Sequence, residues 1–406
     1  MRVLQAMTGP PGTGSGTVVE AMLDELGRQG HEAFLFYPDA AGPVAPGEVG
    51  PGEDPRHRVW RFPVREDGLE LATFPKMIPD PHPREAGASL TCRDLSAEEL
   101  ALYLGGMKRA LGRVVEELAP DVVECHHLWA VAWAAAELGL TYLATPHHSD
   151  QMGYRFDERM RPYADRAAAG AALVLPISEF VRREVVELYP VDPERVLVEE
   201  PGYDQETFRP RGSDPGEALA AAGIAADPAL PLVTFSGKLS RTKGVDVLLR
   251  ANRRLQAERP VRLVMAGTGS LEREFSADER AGFHLENVHF PGHLDHPTLA
   301  RLHDAAAATV VPSREEGFGV AALEAMGCGC PVVASRCGGL ESYVVGELVP
   351  VGDEAALAGA LGRLVGLDPE AARALRRRVH EAALPYSWRR MVERRIGLYE
   401  RVLSAG

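Results

Sequence analysis

The sequence predicts an α/β protein with two Rossmann-like parallel-sheet domains that face each other across a cleft. Three observations favour this fold class. Short apolar runs typical of strands alternate with helix-like segments along the whole chain, as in parallel sheets with crossover helices. Glycine-containing loops follow strands in both halves of the chain. The chain has 406 residues, more than one ordinary core contains, so two domains are expected.

Composition excludes several functional classes. A net charge of −14 argues against nucleic-acid binding as the main role. The longest apolar runs are far shorter than a membrane span. The first residues form a short strand that leads into a glycine loop, so we expect no signal peptide and a cytoplasmic protein. The five cysteines lack zinc-type spacing, which favours reduced, buried thiols.

The first strand is expected over residues 2–7, before a glycine-rich loop and a helix that ends near Gly27. The loop superficially matches a phosphate-binding P-loop, but Ser15 stands where the essential lysine would be, so we exclude an NTPase. Glycines between a strand and a helix still let a ligand approach the backbone. The alternative is a plain tight turn.

The next segments include one long candidate loop. A second strand is expected from Gly30 to Tyr37, a loop over 39–57 and a strand over 58–64. Residues 75–84 are too proline-rich for a helix or central strand. Because long loops in compact domains are often functional, we predict acceptor-side roles for His82 and Arg84. A rigid surface crossing is an equally good interpretation.

Two histidine pairs follow predicted strands. A helix with a capping box at Ser96 runs to about residue 119, and strands are expected over 121–127 and 141–145. Each of these strands ends at two histidines, where open α/β sheets bind ligands. His126 is predicted on the acceptor side. A metal site is the competing hypothesis, disfavoured because adjacent strand residues point apart.

The second half of the chain opens with a basic loop. A strand over 232–235 leads into residues 236–244, which contain Lys238 and Lys243. The chain has four lysines and otherwise uses arginine, so two lysines this close suggest a local need for compact ammonium groups. A solvated basic turn is the alternative. After the strand over 261–266, Gly267 and Thr268 are predicted to line the phosphate or the base of a ligand.

The most informative segment spans residues 309–334. A strand ends near Val311, two acids and the turn Gly317-Phe318-Gly319 follow, and a helix is expected from Val320. A helix start flanked by glycines is an anion site, most plausibly for phosphate. Glu316 and Glu324 would repel a phosphate, so they should face hydroxyl groups, such as those of a sugar and a ribose. The alternative is an ordinary strand–turn–helix with solvated acids.

This segment, PSREEGFGVAALEAMGCGCPVVAS, resembles the Glu-(seven residues)-Glu segment of retaining, nucleotide-sugar-dependent glycosyltransferases of family 4, which have the glycosyltransferase B fold. The resemblance implies that Glu316 contacts the donor sugar and Glu324 the nucleotide ribose. It also implies that His147, in a Thr-x-His context, touches the donor sugar. Lys238, which replaces the family's usual arginine, and Lys243 would neutralise the leaving diphosphate. The donor-binding prediction comprises Gly14, Gly16, Gly267, Thr268, Gly317, Phe318, Gly319, Val320 and Glu324.

The resemblance implies a retaining transfer of sugar from a nucleoside diphosphate to a hydroxyl acceptor, which could be a small molecule, a glycan or a lipid. No Asp-x-Asp motif occurs, so we expect neither a metal nor another cofactor. A nucleotide-sugar epimerase and a non-catalytic nucleotide-sugar-binding subunit are the alternatives. The expected domains are 1–205 on the acceptor side and 206–384 for the nucleotide sugar. A C-terminal helix within 385–406 should return to the first domain, with a solvated arginine-rich face and no membrane contact.

Overall fold

The computed structural model describes residues 1–12, 14–79, 90–225 and 229–405. These residues form two compact α/β units, each with its own parallel sheet, and the predicted α/β class is confirmed. The first unit comprises Met1–Glu200 and Met391–Gly406, and the second comprises Pro201–Arg390. His82 and Arg84, both predicted on the acceptor side, lie outside the described residues.

The first unit contains a seven-stranded sheet and a separate two-stranded hairpin. In chain order its strands are β1 (Arg2–Ala6), β2 (Glu32–Asp39), β3 (Val49–Pro51), β4 (His57–Arg61), β5 (Val64–Glu66), β6 (Leu69–Leu71), β7 (Val122–His126), β8 (Tyr142–Thr145) and β9 (Leu173–Val174). The seven-stranded sheet has the order β3-β4-β2-β1-β7-β8-β9, and β5 pairs with β6. Except for β3, which is antiparallel to β4, every pairing in the large sheet is parallel.

The helices of the first unit begin both with and without side-chain caps. They are α1 (Gly14–Arg28), α2 (Ala97–Leu118), α3 (Ala130–Glu137), α4 (Ser149–Phe156), α5 (Arg161–Gly170) and α6 (Glu179–Leu188). Ser96 and Glu99 form the predicted capping box of α2, and Ser178 caps α6 through the Val181 amide. Loop residues 39–57 were expected to be irregular, but β3 lies within them, because a short edge strand can pair with β4 despite its proline.

The order of strands places a topological switch point beside β1. From β1 the chain moves outward to β2 and β4, and then returns to the other side of β1 to form β7, β8 and β9. Loops at the carboxyl ends of β1 and β7 therefore diverge to opposite sides of the sheet, and such a divergence forms a crevice in open α/β sheets. The residues after these two strands, including His126 and His127, lie at this crevice.

The second unit contains a six-stranded, entirely parallel sheet. Its strands are β10 (Leu232–Ser236), β11 (Arg262–Ala266), β12 (Val288–Gly292), β13 (Ala308–Val311), β14 (Val332–Ser335) and β15 (Gly346–Val349). The order β12-β11-β10-β13-β14-β15 puts the switch point between β10 and β13. The loop that contains both lysines follows β10, and the segment that contains Glu316 follows β13.

The helices of the second unit are α7 (Pro215–Ala221), α8 (Val245–Glu258), α9 (Leu271–Glu274), α10 (Ala277–Ala281), α11 (His296–Ala305), α12 (Val320–Gly327), α13 (Leu340–Tyr343), α14 (Glu354–Val365) and α15 (Pro369–Ala383). The core of this unit is formed by apolar residues of α8 and α14 against the central strands. Val310, Val333 and Leu248 are fully buried there, which anchors the strands that precede the site loops.

The last helix, α16 (Trp388–Ala405), belongs for most of its length to the first unit. Arg395 and Tyr399 on this helix are buried and bond to side chains of β1 and β7. Among the described residues, no helix is both long enough and apolar enough to cross a membrane.

Candidate functional site

An ion pair links the loops that follow β10 and β13 in the second unit. The Lys243 Nζ lies 2.7 Å from Glu316 Oε2, and the two side chains are 31% and 13% exposed. Ser313 Oγ donates to the same carboxylate oxygen at 3.1 Å. The structure therefore brings together two predicted site residues that are separated by 73 positions in the sequence.

Arg314 holds the two loops in register. Its guanidinium makes a two-pronged contact with Asp246, at 2.7 and 2.8 Å, and its backbone N–H donates to Thr242 O at 2.8 Å. Asp246 lies in the first turn of α8 and is 1% exposed. Burial alone would raise the pKa of Asp246, but hydrogen bonds and charge from Arg314 and Arg250 lower it below the ordinary value. The carboxylate thus stays ionised and braces the loop that contains Glu316.

Glycines let the backbone segments of this site approach closely. Gly244 has φ +67°, and a Cβ there would lie 1.8 Å from Pro312 O. Gly338 has φ +57°, and its Cβ would lie 1.7 Å from Glu316 O. Because other residues would force these segments apart, both glycines are required for the position of Glu316.

The start of α12 is shaped by Gly319 and Tyr343. Gly319 is the N-cap with φ +99° and provides no side-chain cap. Its carbonyl accepts the Ala322 N–H at 2.9 Å, and the amides of Val320 and Ala321 lack acceptors within the helix. The Tyr343 hydroxyl donates to the carbonyls of Phe318 and Gly319, at 3.2 and 2.5 Å. Phe318 is buried and stacks on Tyr343 at 4.5 Å between ring centroids. The Phe318 ring is therefore held inside the protein, and the donor-binding role of Gly317, Phe318, Gly319 and Val320 stays a prediction.

Glu324 lies inside α12, in a different electrostatic setting from Glu316. Burial of its carboxyl group, with a further contribution from the negative charge of Asp204, raises the pKa of Glu324 to about 8. Across the described ranges we find no hydrogen-bond donor or cation paired with this carboxyl. Glu324 is partly exposed, so a hydroxyl-bearing ligand could reach its carboxyl group and supply an interaction that the protein does not.

The other predicted residues of this unit lie in loops that pack together. Gly267 has φ +144°, and a Cβ there would lie 1.8 Å from Gly237 O. The Thr268 carbonyl accepts the Leu239 N–H at 2.8 Å. The Gly267–Thr268 loop is thus joined to the loop of Lys238, whose side chain is exposed.

In the first unit, α1 begins directly after the glycine-rich loop. Gly16 is buried in the first turn of α1, where a Cβ would lie 2.7 Å from Pro11 Cα. Gly14 has open space around the position of a Cβ. Only Gly16 is therefore required by packing, and the predicted donor-binding role of both glycines stays a prediction.

Three histidines meet at the carboxyl ends of β7 and β8. His126 Nδ1 lies 3.0 Å from His147 Nε2, and the His127 and His147 ring centroids are 4.9 Å apart. The expectation that adjacent histidines point apart is wrong here, because His127 has φ +82° and departs from strand geometry. His148 instead bonds Glu184 at 2.7 Å.

Burial keeps the three histidines neutral. Burial lowers the pKa of His126 to about 4 and also lowers that of His127. Burial, with the neighbouring histidines, holds the pKa of His147 well below its usual range. His126 is fully buried and has both ring nitrogens engaged inside the protein, whereas His147 is partly exposed. His126 thus contacts His147 in this structure, and its acceptor-side role stays a prediction.

A buried polar network connects these histidines to α16. Glu124 is fully buried and accepts hydrogen bonds from Tyr399 and from Arg395, the latter at 2.8 Å. Gln5 bonds both Tyr399, at 3.0 Å, and His126, at 2.7 Å. The expectation of a solvated arginine face on α16 is wrong for Arg395, because this residue pairs with a charge buried in β7.

Several of these residues were not predicted, although some carry a signal in the sequence. Gln5 and Glu124 are polar residues within otherwise apolar strands, a pattern that indicates buried partners. Arg314 and Tyr343 carry no such signal, since their partners are distant in sequence. Within the described part of the chain, no group of three or more histidine, cysteine or acidic residues could hold a metal ion.

Two protein-family models match the chain. The family model for "Glycosyltransferase Family 4" matches residues 12–207, and that for "Glycosyl transferases group 1" matches residues 230–366. The chain belongs to this glycosyltransferase family. The two matches include the histidine cluster in the first unit and the Lys243–Glu316 pair in the second.

Similar curated proteins are named D-inositol 3-phosphate glycosyltransferases. The protein of Catenulispora acidiphila is 36% identical over 237 residues, which cover 55% of this chain and 56% of the relative. The protein of Thermobispora bispora is 29% identical over 424 residues, which cover 97% of this chain and 92% of the relative. The chain spans about half the length of the first relatives that it matches.

Solved structures share the two-unit fold. Sucrose-phosphate synthase from Thermosynechococcus elongatus matches with a TM-score of 0.76 and 23% identity over 100% of both chains. The Anabaena protein HepE, solved with UDP and glucose, matches with a TM-score of 0.72 and 17% identity over 99% of this chain and 100% of that chain. At these identities the likeness shows the fold alone.

Proposed function

We propose that this protein is a retaining glycosyltransferase that moves a sugar from a nucleoside diphosphate to a hydroxyl acceptor. The observation that carries this proposal is the Lys243–Glu316 pair, which lies at the switch point of the second unit beside the start of α12. An ammonium group there suits a diphosphate, and the carboxylate can accept hydrogen bonds from sugar hydroxyls. Membership of the family supports the same assignment.

Each site residue has a distinct proposed role. Lys238, Lys243 and the first amides of α12 balance the negative charge of the leaving diphosphate. The acceptor oxygen bonds to the same face of the anomeric carbon from which the diphosphate departs. The acceptor proton passes to the released diphosphate. Glu316 and His147 hold the sugar, and Glu324 holds the nucleotide ribose, as the resemblance to the family implies.

The similar proteins suggest which substrates should be tested first. HepE was solved in complex with UDP-glucose, and the curated relatives are named for D-inositol 3-phosphate. We therefore propose a nucleoside-diphosphate hexose, with UDP-glucose first, as donor. A polyol phosphate, with D-inositol 3-phosphate first, is the proposed acceptor class.

The test is incubation of the protein with UDP-, GDP- and ADP-sugars, each with and without candidate acceptors, followed by mass spectrometry. We expect release of nucleoside diphosphate together with an acceptor product that retains the anomeric configuration, which NMR of the product establishes. A nucleotide sugar converted to an isomer without any acceptor would overturn the proposal in favour of an epimerase. Binding without turnover, across this panel, would favour a non-catalytic subunit.

A further inference from the structure

A chain of buried hydrogen bonds runs from α16 to His147 within the first unit. Tyr399 donates to Glu124 Oε2, and Gln5 Nε2 donates to the Tyr399 oxygen at 3.0 Å. The Gln5 Oε1 faces His126 Nε2 at 2.7 Å, and His126 Nδ1 faces His147 Nε2 at 3.0 Å. Every member except His147 is buried.

The charge on Glu124 sets the direction of the first bonds. Arg395 Nη1 donates to Glu124 Oε1 at 2.8 Å, which stabilises the carboxylate. A carboxylate has acceptors alone, so Tyr399 must give its single proton to Glu124. The Tyr399 oxygen is then an acceptor, and the Gln5 amide must turn its N–H toward it. Gln5 consequently presents its carbonyl oxygen to His126.

The carbonyl of Gln5 then determines which ring nitrogen carries the proton in His126 and in His147. A neutral imidazole has one N–H and one acceptor nitrogen, and burial keeps His126 neutral. His126 Nε2 must carry the proton because it faces a carbonyl oxygen, so its Nδ1 is an acceptor. His147 must therefore donate from Nε2 to that Nδ1. This leaves His147 Nδ1 with a free lone pair, for which the described residues supply no partner.

The reverse direction would be penalised at one contact. If His126 carried its proton on Nδ1, the Gln5 amide would have to rotate its N–H toward His126. The carbonyl oxygen of Gln5 would then face the Tyr399 oxygen, whose proton is already committed to Glu124. Two acceptors in contact inside a protein cost the hydrogen bond and the desolvation of both groups.

We propose that Tyr399 and Gln5 are positioning residues, which hold His147 in the tautomer protonated on Nε2 and make its Nδ1 an acceptor for a substrate hydroxyl. The substrate in this statement rests on the proposed function, whereas the tautomer rests on the hydrogen-bond chain alone. A helix at the end of the sequence thus sets the hydrogen-bonding character of a residue between β8 and α4.

The test uses the full chain with ¹⁵N-labelled histidine and two-bond ¹H–¹⁵N NMR spectra, which distinguish imidazole tautomers. The signals of His147 are assigned by their loss in His147→Gln. We expect the Nε2–H tautomer in the wild type and a mixture of both tautomers in Tyr399→Phe, because Gln5 loses the acceptor that orients it. Gln5→Met should release the tautomer in the same way and serves if Tyr399→Phe does not fold.

Tyr142→Phe is the matched control. The Tyr142 hydroxyl is also buried in the first unit and donates to Ala167 O at 2.5 Å, but it lies outside the chain to His147. We expect Tyr142→Phe to lose similar stability and to keep the wild-type tautomer. In transfer assays, Tyr399→Phe should lower kcat/KM for the donor about tenfold relative to this control.

The outcomes separate this inference from the proposed function. A wild-type His147 protonated on Nδ1, or a His147 tautomer unchanged in a folded Tyr399→Phe or Gln5→Met variant, would overturn the inference. If the tautomer responds as expected but the wild type transfers no sugar, the inference stands and the proposed function fails. If the wild type transfers sugar and the tautomer does not respond, the reverse holds.

Discussion

At the scale of single residues, the chemistry proposed for the second unit rests on the pair of Lys243 and Glu316. A partly exposed ion pair contributes little to stability by itself, and this one is held in place by Ser313 and by the brace from Arg314. Its value lies in keeping an ammonium group and a carboxylate at the switch point of the sheet. Charge placed in advance is what stabilises a departing diphosphate.

Lys243→Ala should lower kcat/KM, because a preorganised cation is lost. The loss of transition-state stabilisation calculated from this decrease should be about 2–4 kcal/mol. Lys108→Ala is the matched control, since Lys108 lies on α2 with an exposed side chain, 4.0 Å from Glu137. Steady-state kinetics and thermal denaturation of both variants check the prediction. If Lys243→Ala turns over like the control, the diphosphate is held elsewhere.

Substitutions of Glu316 and Glu324 should affect the binding of different ligands. A hydrogen bond from a hydroxyl to a charged acceptor contributes about 1.5–3 kcal/mol. Glu316 offers such a carboxylate in its pair with Lys243, whereas burial raises the pKa of Glu324, and a ribose hydroxyl that donates to Glu324 would favour its ionised form. Glu324→Gln should weaken binding of free nucleoside diphosphate and of intact donor alike, whereas Glu316→Gln should weaken only the intact donor or slow transfer. Calorimetric titration of both variants with both ligands is the measurement. Equal weakening of nucleoside diphosphate by the two variants would contradict the separate sugar and ribose roles.

Glu324 should also make stability depend on pH. Its pKa is raised from 4.5 to about 8, so between these values the folded state keeps a proton that the unfolded state has lost. Stability contributed by this group is therefore present at low pH and falls as pH rises through this range. Glu324→Gln should be more stable than the wild type at about pH 8.5, by at least the ~1.4 kcal/mol that one pKa unit represents.

Chemical denaturation at about pH 5 and about pH 8.5 tests this prediction. The gain in stability of Glu324→Gln over the wild type should be smaller at the lower pH, because more of the Glu324 carboxyl is then protonated in both the folded and the unfolded state. A gain that is the same at both values would mean that packing, rather than ionisation, distinguishes the amide from the carboxyl group. A loss of stability at both values would mean that Glu324 is already satisfied inside the protein.

At the scale of elements, the site depends on how closely the loops after β13 and β14 approach. A left-handed backbone conformation alone costs a residue other than glycine about 1–2 kcal/mol. Gly338→Ala should destabilise the second unit by more than this, because the methyl group would also collide with Glu316 O. Gly352→Ala is the control, since Gly352 has φ +78° and open space around a Cβ. Gly338→Ala should also weaken donor binding, because it displaces Glu316.

Denaturation midpoints and donor titrations of the two glycine variants provide the measurement. Similar losses of stability in both would show that left-handed strain accounts for the effect and that the two loops can separate without cost. Donor binding that is normal in a destabilised Gly338→Ala protein would mean that the position of Glu316 does not depend on this approach.

At the scale of the whole molecule, the proposed charge balance comes from lysines and a helix start instead of a metal ion. Glycosyl transfer should therefore persist in excess chelator at the rate measured without it. The assay is turnover of the matching nucleotide sugar with and without EDTA. Loss of activity that magnesium or manganese restores would contradict this prediction and show that a metal ion helps to carry the diphosphate.

The sequence by itself determined the secondary-structure elements and the loops between them. Apolar periodicity predicted the parallel strands, Ser96 predicted a helix start, and the spacing of glycines and acids after Val311 predicted the start of α12. These predictions succeeded because caps, turns and strand ends depend on interactions within a few residues. They also placed Lys243 and Glu316 in separate loops of one site.

Tertiary structure alone decided which side chains meet. The contacts between Lys243 and Glu316, between Arg395 and Glu124, and between Gln5 and Tyr399 join residues 73, 271 and 394 positions apart. Such pairs depend on strand order and on where α16 packs, and the local hydrophobic periodicity of the sequence predicts neither. A buried charge or amide is stable only with its partner in place. The tautomer proposed for His147 therefore depends on contacts that the folded chain creates.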